Sequence, residues 1–244
     1  MEPVLEVIFS FSEDYNYLNQ QVCSEFRQMI PKVLPSSYLN QLIKDDKTPE
    51  NFKPCQRLLD IAVERDLVYL LQACKDYIPD NICKLSIKKK SVKILKWALD
   101  NGYPRDARLF RIAIKHTNFV ALPYLRISGC EWDSWACSRA AKEGYLRILK
   151  WLRTNGCPWD ESTCIYAARY GHLRILQWAR ANGCPWDEST CEAAAKGGHL
   201  EVLQWARANG CPWNGWVLEK ALCNFNYDVL QWAQENGCPK RLGN

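Results

Sequence analysis

The feature that most constrains the fold of this chain is a short tract that returns every 27 residues. Asn-Gly-Cys-Pro-Trp occupies 155–159, 182–186 and 209–213, and Asn-Gly-Cys-Pro follows at 236–239. An aromatic track keeps the same spacing at Trp97, Tyr124, Trp151, Trp178, Trp205 and Trp232. Upstream, 62–63 and 70–72 match 167–168 and 175–177 after one unit shortened by three residues. A fixed period in this range is the signature of a repeat architecture. We therefore expect about seven copies in a repeat domain over 54–244.

Each unit predicts a helix, a tight loop and a second helix. In the copy that begins at Trp186, Asp187 stands where an N-cap residue belongs, because its carboxylate can accept the free amides of the first turn. Gly198 breaks the chain, and 200–208 form an apolar second helix that Gly210 ends in a left-handed conformation. One unit cannot bury its own apolar surface, so the copies must stack. The expected fold is all-α: a solenoid of short helix pairs.

Composition sets the cellular context and excludes several classes. The chain has 244 residues, of which 48% are apolar. It contains no run of the roughly 20 apolar residues that a membrane span needs. The start lacks the basic region of a signal peptide, and Glu6 breaks its apolar stretch. We expect an intracellular protein, cytoplasmic or nuclear or both. The formal charge of +5 is too mild to indicate a nucleic-acid partner by itself.

The cysteines and histidines follow the repeat, which favours architecture over chemistry. Five cysteines share one repeat position and three share another: Cys130, Cys157, Cys184, Cys211 and Cys238, then Cys137, Cys164 and Cys191. A zinc site usually needs closely spaced cysteine pairs, and these are absent. The ladder is therefore interpreted as small apolar packing, with no metal or cofactor expected. His172 and His199 also keep the repeat register, whereas a catalytic histidine occurs once with partners. We expect a binding protein and not an enzyme.

Two further patterns each allow a structural and a functional interpretation. Six lysines lie between Lys84 and Lys96, as in a nuclear localisation signal or a phosphate-binding patch, or simply as the solvated side of a shortened repeat. A nucleic-acid interface needs a basic stripe across units, and four acidic residues interrupt one: Glu143, Glu192, Glu201 and Asp228. The loop tryptophans could be binding anchors. Their position just before the helix instead favours a hydrophobic staple that closes the helix start, in which Trp186 precedes the N-cap residue and Cys191 is the fourth residue of the helix. They are Trp132, Trp159, Trp186 and Trp213.

Comparison of the copies with one another locates a candidate binding face. The units that begin at Trp159 and Trp186 agree at 21 of 27 positions. Four of the six differences fall on the first helix, at a spacing that puts them on one side of it. Packed positions stay alike while exposed positions diverge, so we expect these to face a partner, although neutral drift would leave the same pattern. The candidates over three units are Ser138, Arg139, Lys142, Ile165, Tyr166, Arg169, Tyr170, Glu192 and Lys196.

The segment 194–203, Ala-Ala-Lys-Gly-Gly-His-Leu-Glu-Val-Leu, resembles the central helix–turn–helix of ankyrin repeats. A 27-residue unit leaves no room for the family's β-hairpin finger, and the Thr-Pro-Leu-His opening is absent. The Asn-Gly-Cys-Pro-Trp-Asp tract is similar to large families in giant DNA viruses and in some algae and oomycetes, which would imply a host–virus interaction if the source is viral. The resemblance implies that the first helices line a concave recognition surface, and that the chain is a monomer that binds proteins.

Residues 1–30 do not follow the repeat and resemble an F-box. The matching residues are Pro3, Leu5, Ile8, Phe9, Val22, Cys23 and Phe26. The resemblance implies docking on the Skp-type adaptor of a cullin–RING ubiquitin ligase. The usual Leu before Pro3 is absent and the interhelix loop is short, so a helical cap over the first repeat is the alternative. Residues 31–53, rich in proline and charge, are expected to be a linker with one short helix.

The leading hypothesis is therefore an adaptor that presents a target to a ubiquitin ligase. The runner-up is a repeat module that sequesters its partner without any ligase, and a nucleic-acid binder that uses the Lys88 region is a weaker third hypothesis.

Overall fold

The computed structural model describes residues 35–49 and 52–240. Fifteen α-helices lie in these residues, with a short 3₁₀ helix at Lys75–Tyr77 and no strand. In chain order they are α1 Pro35–Lys44, α2 Gln56–Arg65, α3 Val68–Ala73, α4 Ile82–Lys89, α5 Val92–Asp100, α6 Arg108–Lys115, α7 Ala121–Ile127, α8 Ser134–Lys142, α9 Leu146–Thr154, α10 Glu161–Arg169, α11 Leu173–Ala181, α12 Glu188–Gly197, α13 Leu200–Ala208, α14 Trp216–Cys223 and α15 Tyr227–Glu235. The F-box-like segment 1–30 lies outside the described residues.

From α2 to α15 the helices follow as seven pairs, each joined by a short loop, which confirms the all-α solenoid of 27-residue units. Within the described residues no β-hairpin interrupts the connections between pairs, as the short repeat predicts. The described chain divides into two compact parts, each larger than a repeat, which are called the first unit and the second unit below. The first comprises 35–105 and 123–128, and the second comprises 106–122 and 129–240.

In the first unit the expected short helix of segment 31–53 is present as α1, and it packs against α3. Leu39 is buried, and the side-chain oxygen of Asn40 accepts a hydrogen bond of 3.0 Å from the amide of Leu70. The carboxylate of Asp66 accepts from the amides of Lys93 and Ile94 at 3.0 and 2.9 Å, which satisfies donors at the start of α5. The segment thus contributes a packed helix as well as a connection.

In the second unit the first helices begin as the sequence predicts. The carboxylates of Asp160 and Asp187 each accept a hydrogen bond of 3.0 Å from the amide two residues on. Asn214, at the same repeat position, accepts in the same way from the amide of Trp216. Asp133 departs from this pattern and makes no side-chain cap. Its carboxylate instead lies 3.6 Å from the guanidinium of Arg111.

The loop between the two helices of a pair is where consecutive units are tied together. The Nε2 atom of His172 lies 3.0 Å from the carbonyl oxygen of Lys142, so this ring nitrogen is the donor. Asn226, which replaces histidine at this position, donates to the carbonyls of Ala195 and Lys196 at 2.8 and 3.2 Å. These bonds satisfy carbonyl groups at the ends of first helices, which would otherwise lack partners.

The histidine ring explains why the loop residue opposite it is glycine. Gly171 has a φ of +74°, and a Cβ there would lie 2.7 Å from the ring of His199. Gly156 has a φ of +84°, but a Cβ there would meet nothing within 4 Å. Both positions need the left-handed conformation, whereas only Gly171 also needs the space.

We expect Gly156→Ala to lower the free energy of unfolding by about 1–2 kcal/mol, since it introduces only left-handed strain. Gly171→Ala should cost about 1–3 kcal/mol more, because the His199 ring must also move. Urea denaturation of both variants beside the parent chain measures this difference. Equal losses would show that the His199 ring is not held against residue 171.

Candidate functional site

The first helices of the second unit form the centre of its packing. Adjacent first helices, α8 on α10 and α10 on α12, pack on each other much more extensively than adjacent second helices do. The side of these helices that faces away from the second helices is therefore one continuous surface. We call it the first-helix face and define it by Trp135, Arg139, Lys142, Ile165, Tyr166, Arg169, Tyr170, Glu192 and Lys196, all half-buried or exposed.

One predicted member does not belong to the first-helix face. Ser138 is only 1% exposed, and its hydroxyl donates a hydrogen bond of 3.2 Å to the carbonyl of Ser134. The prediction for Ser138 is corrected because a short side chain at this position folds back on its own helix. The longer side chains of Ile165 and Glu192 at the same repeat position reach the surface.

An aromatic cluster occupies the middle of the first-helix face. The ring centroids of Trp135 and Tyr166 are 6.0 Å apart, and those of Tyr166 and Tyr170 are 6.5 Å apart and stacked. Trp135 is 47% exposed and Tyr170 is 40% exposed. Trp135 was missed because Ser162 and Ser189, its counterparts in the two most similar units, do not differ. Comparison with the preceding unit would have revealed it.

Charged groups surround this cluster, and cations predominate among those without ionic partners. The Lys142 ammonium lies 5.0 Å from the centre of the Tyr170 ring. The two nearby carboxylates are engaged. Glu143 forms an ion pair of 2.7 Å with Arg139, and Glu192 accepts a hydrogen bond of 2.9 Å from Asn214. Exposed tyrosine, tryptophan and arginine are the side chains most often found at the energetic centre of protein interfaces.

The loop tryptophans lie away from this face and have partners within the chain. The Trp186 ring packs edge-on against Trp205 at 5.9 Å, with the guanidinium of Arg180 4.2 Å from its centre. The Nη1 group of Arg180 also donates to the carbonyl of Cys184. The same arrangement recurs at Trp159 with Trp178 and Arg153, and at Trp213 with Trp232 and Arg207. These contacts favour a structural role, in which the tryptophans hold the loop against the second helix, over a binding role. The predicted staple between Trp186 and Cys191 stays a prediction.

The cysteine ladder is buried, and it forms hydrogen bonds as well as apolar contacts. The Cys184 thiol donates to the carbonyl of Asp160 at 3.4 Å, which joins consecutive units. Its hydrogen bond with Cys164, together with burial, raises the pKa of the Cys164 thiol far above its usual range. Cys137 beside Cys157 and Cys191 beside Cys211 repeat this arrangement. Within the described residues no group of three or more potential ligands is placed to hold a metal ion.

The lysine cluster of the first unit lies at the end of a helix. Lys88 and Lys89 form the last turn of α4, and Lys90 takes a left-handed conformation with a φ of 61° directly after it. Lys89 forms an exposed ion pair of 2.7 Å with Glu64. Cations at this end of a helix are favoured by its dipole. The geometry therefore favours the solvated-surface interpretation.

Comparison with known proteins identifies a solved structure of similar fold. No protein-family model and no curated protein matches the chain. Among solved structures, the chain is similar to the ankyrin repeat domain of human ASB11, with a TM-score of 0.50 and 16% sequence identity. The match covers 63% of this chain and 84% of that domain. The predicted ankyrin-like solenoid is thus confirmed at the level of the fold. None of the described helices has both the length and the apolar character needed to cross a membrane.

The thiol environments predict which cysteines react in the native protein. The thiolate attacks iodoacetamide and displaces iodide, so a buried thiol with a raised pKa reacts slowly. We expect Cys55 and Cys223, which are exposed, to be labelled at pH 8, while Cys137, Cys164 and Cys191 stay protected until the chain is unfolded. Peptide mass spectrometry after timed labelling measures this pattern. Rapid labelling of the ladder would contradict a packing role.

Proposed function

We propose that this chain is a protein-binding module and that the first-helix face is its recognition surface. The observation that carries the proposal is the exposed cluster of Trp135, Tyr166 and Tyr170 among cations, on first helices that hold four of the six differences between the two most similar units. The fold supports this role, because stacked repeats offer an extended surface that diverges without cost to the core.

The residues with potential chemistry are used to join the units. His172 donates to the carbonyl of Lys142, and the thiol of Cys184 donates to that of Asp160. Each of these side chains recurs in register, and each is explained by the contact that it makes with the neighbouring unit. The proposed activity is therefore binding rather than catalysis.

The combined substitution Tyr166→Ala, Arg169→Ala and Tyr170→Ala tests the recognition surface. Truncation of an interface hot spot costs about 2 kcal/mol or more, which is a loss of about 30-fold in affinity. We expect the affinity of the triple variant for its partner to fall by at least about 100-fold, which is below the roughly 900-fold product of two such losses because hot-spot losses are not additive. The measurement is affinity capture of the tagged full chain from host cells with quantitative mass spectrometry, followed by titration of the captured protein.

The matched control is Arg147→Ala, Arg174→Ala and Glu201→Ala, at one repeat position on the second helices, where all three side chains are exposed. A captured protein that is lost from the first variant and kept by the control supports the proposal. A partner that stays on both variants would place recognition elsewhere. Unfolding midpoints equal to that of the parent chain are required of both variants.

The finer role that we propose is presentation of the bound partner to a ubiquitin ligase. Its support is the F-box-like pattern of residues 1–30, with Val22, Cys23 and Phe26 in its second half. The alternative is a sequestering module that uses the same face without any ligase. Both roles share the repeat surface and differ only in what the N-terminal segment binds.

Substitution of Ile8, Phe9 and Phe26 by alanine in the full chain separates these two roles. If the segment docks on a Skp-type adaptor, purified adaptor should be retained by the parent chain and lost from this variant, while the repeat partner stays bound. The Tyr166→Ala, Arg169→Ala and Tyr170→Ala variant is the reciprocal control, since it should keep the adaptor. Absence of adaptor binding to the parent chain would leave the sequestering role.

A further inference from the structure

Four basic residues form a column across the first helices of the second unit. They share one repeat position, at or next to the last residue of α6, α8, α10 and α12: Lys115, Lys142, Arg169 and Lys196. We call this set the basic column. Packed helices lie about 8–10 Å apart, so successive cations are separated by about that distance along a line that crosses the helices.

Architecture alone does not account for the basic column. Basic residues near the ends of the second helices, such as Arg180, hold a loop tryptophan and donate to a loop carbonyl. Within 35–49 and 52–240 no member of the basic column forms an ion pair, and Lys142 lies over the exposed ring of Tyr170. The helix dipole favours a cation at each of these ends only weakly. The column is therefore a row of charges without anionic partners among the residues that the structure describes.

The aromatic cluster beside the basic column indicates a second property of the bound segment, its conformation. Proline-rich segments dock into grooves lined by aromatic side chains in the polyproline II conformation. That helix has three residues per turn and rises about 3.1 Å per residue, so every third side chain returns to the same side after about 9.3 Å. This repeat matches the spacing of about 8–10 Å between packed helices. Trp135 and Tyr170 are exposed and can receive proline rings between the charged contacts.

We propose that the first-helix face binds an extended acidic segment of a partner protein in the polyproline II conformation. The segment runs across the helices and directs a carboxylate at every third residue to one member of the basic column, while intervening prolines pack on Trp135, Tyr166 and Tyr170. This inference rests on the proposed function and deepens it by naming the chemistry of the partner.

A peptide fits this face better than a nucleic acid does. Glu143 directly follows Lys142, and Glu192 lies one helical turn before Lys196, so two carboxylates stand near members of the column. A nucleic-acid backbone carries negative charge along its whole length, so it would meet these carboxylates. A peptide with one carboxylate in every three residues can place neutral residues opposite them.

The test uses two fluorescein-labelled peptides of equal composition and the full chain. The periodic probe is four repeats of Glu-Pro-Pro, and the block probe carries the same four glutamates in succession before the prolines. We expect fluorescence anisotropy to show at least about tenfold tighter binding of the periodic probe. Its affinity should fall as salt rises from 50 to 300 mM, values near which the Debye length shrinks below about 10 Å.

The variant that removes the column is Lys115→Gln, Lys142→Gln, Arg169→Gln and Lys196→Gln, and it should weaken the periodic probe by at least about 30-fold. The single substitution Arg169→Lys in the parent chain should keep most of the affinity, because both side chains carry the required charge. Unchanged binding of the periodic probe to the column variant would overturn the proposal.

The charge-matched control removes four positive charges from second helices by Lys93→Gln, Lys96→Gln, Arg147→Gln and Arg174→Gln. All four side chains are exposed. This control should bind the periodic probe as the parent chain does. An equal loss in both variants would mean that net charge and not register attracts the probe, and equal binding of the block probe would mean the same. Tighter binding of a twelve-nucleotide thymidine strand than of the periodic probe would favour a nucleic-acid partner and overturn the inference.

These outcomes are independent of the proposed function. If neither peptide binds but the Tyr166→Ala, Arg169→Ala and Tyr170→Ala variant still loses a cellular partner, the recognition surface stands and the partner is not an acidic polyproline II segment. If that variant also keeps every partner, the recognition surface itself is wrong.

Discussion

The structure depends on the close contact between first helices of neighbouring pairs. Ala167, Ala168, Ala194 and Ala195 are all fully buried, and their small side chains let the helix backbones approach each other. No pair has enough apolar surface to be stable alone, so each is stabilised by the units on either side. This contact limits where the sequence can vary. A larger residue at any of these four alanine positions would push two repeats apart. A change on the outer side of the same helix has little effect on stability. The variable residues therefore collect on one face without any selection for binding being needed to place them there.

The repeat period predicts most of this architecture because packing, capping and loop geometry recur with it. The cap at Asp187 could be read from one copy, and Asp160 behaves identically. The period does not predict the outcome at Asp133, which has the same residue in the same register. There the guanidinium of Arg111 in the preceding unit lies beside the carboxylate, and the cap is not formed. The capping rule fails at Asp133 because the competing group, the Arg111 guanidinium, belongs to a residue that differs between repeats.

The candidate site is less predictable for the same reason. Ser138 shares its register with Ile165 and Glu192, yet it is buried because exposure depends on side-chain length as well as on helix angle. Trp135 stands where the two most similar units have serine, so a comparison restricted to those units could not find it. Which rings lie together is a property of neighbouring units, since Trp135 belongs to α8 and Tyr166 to α10. Only the stacked structure shows that three aromatic residues from two helices make one cluster.

The same type of side chain serves two purposes in this chain, and its surroundings decide between them. Arg153, Arg180 and Arg207 lie over tryptophan rings and donate to loop carbonyls, so their charges are held within the scaffold. The cation of Lys142 lies over the exposed ring of Tyr170, and Arg169 and Lys196 share its repeat position. A scaffold that already holds its structural cations on the second helices can change the cations of the first helices freely. The charge and aromatic content of the first helices can then change from one repeat to the next, while the buried alanines, the loop histidines and the cysteine ladder keep the repeats in register.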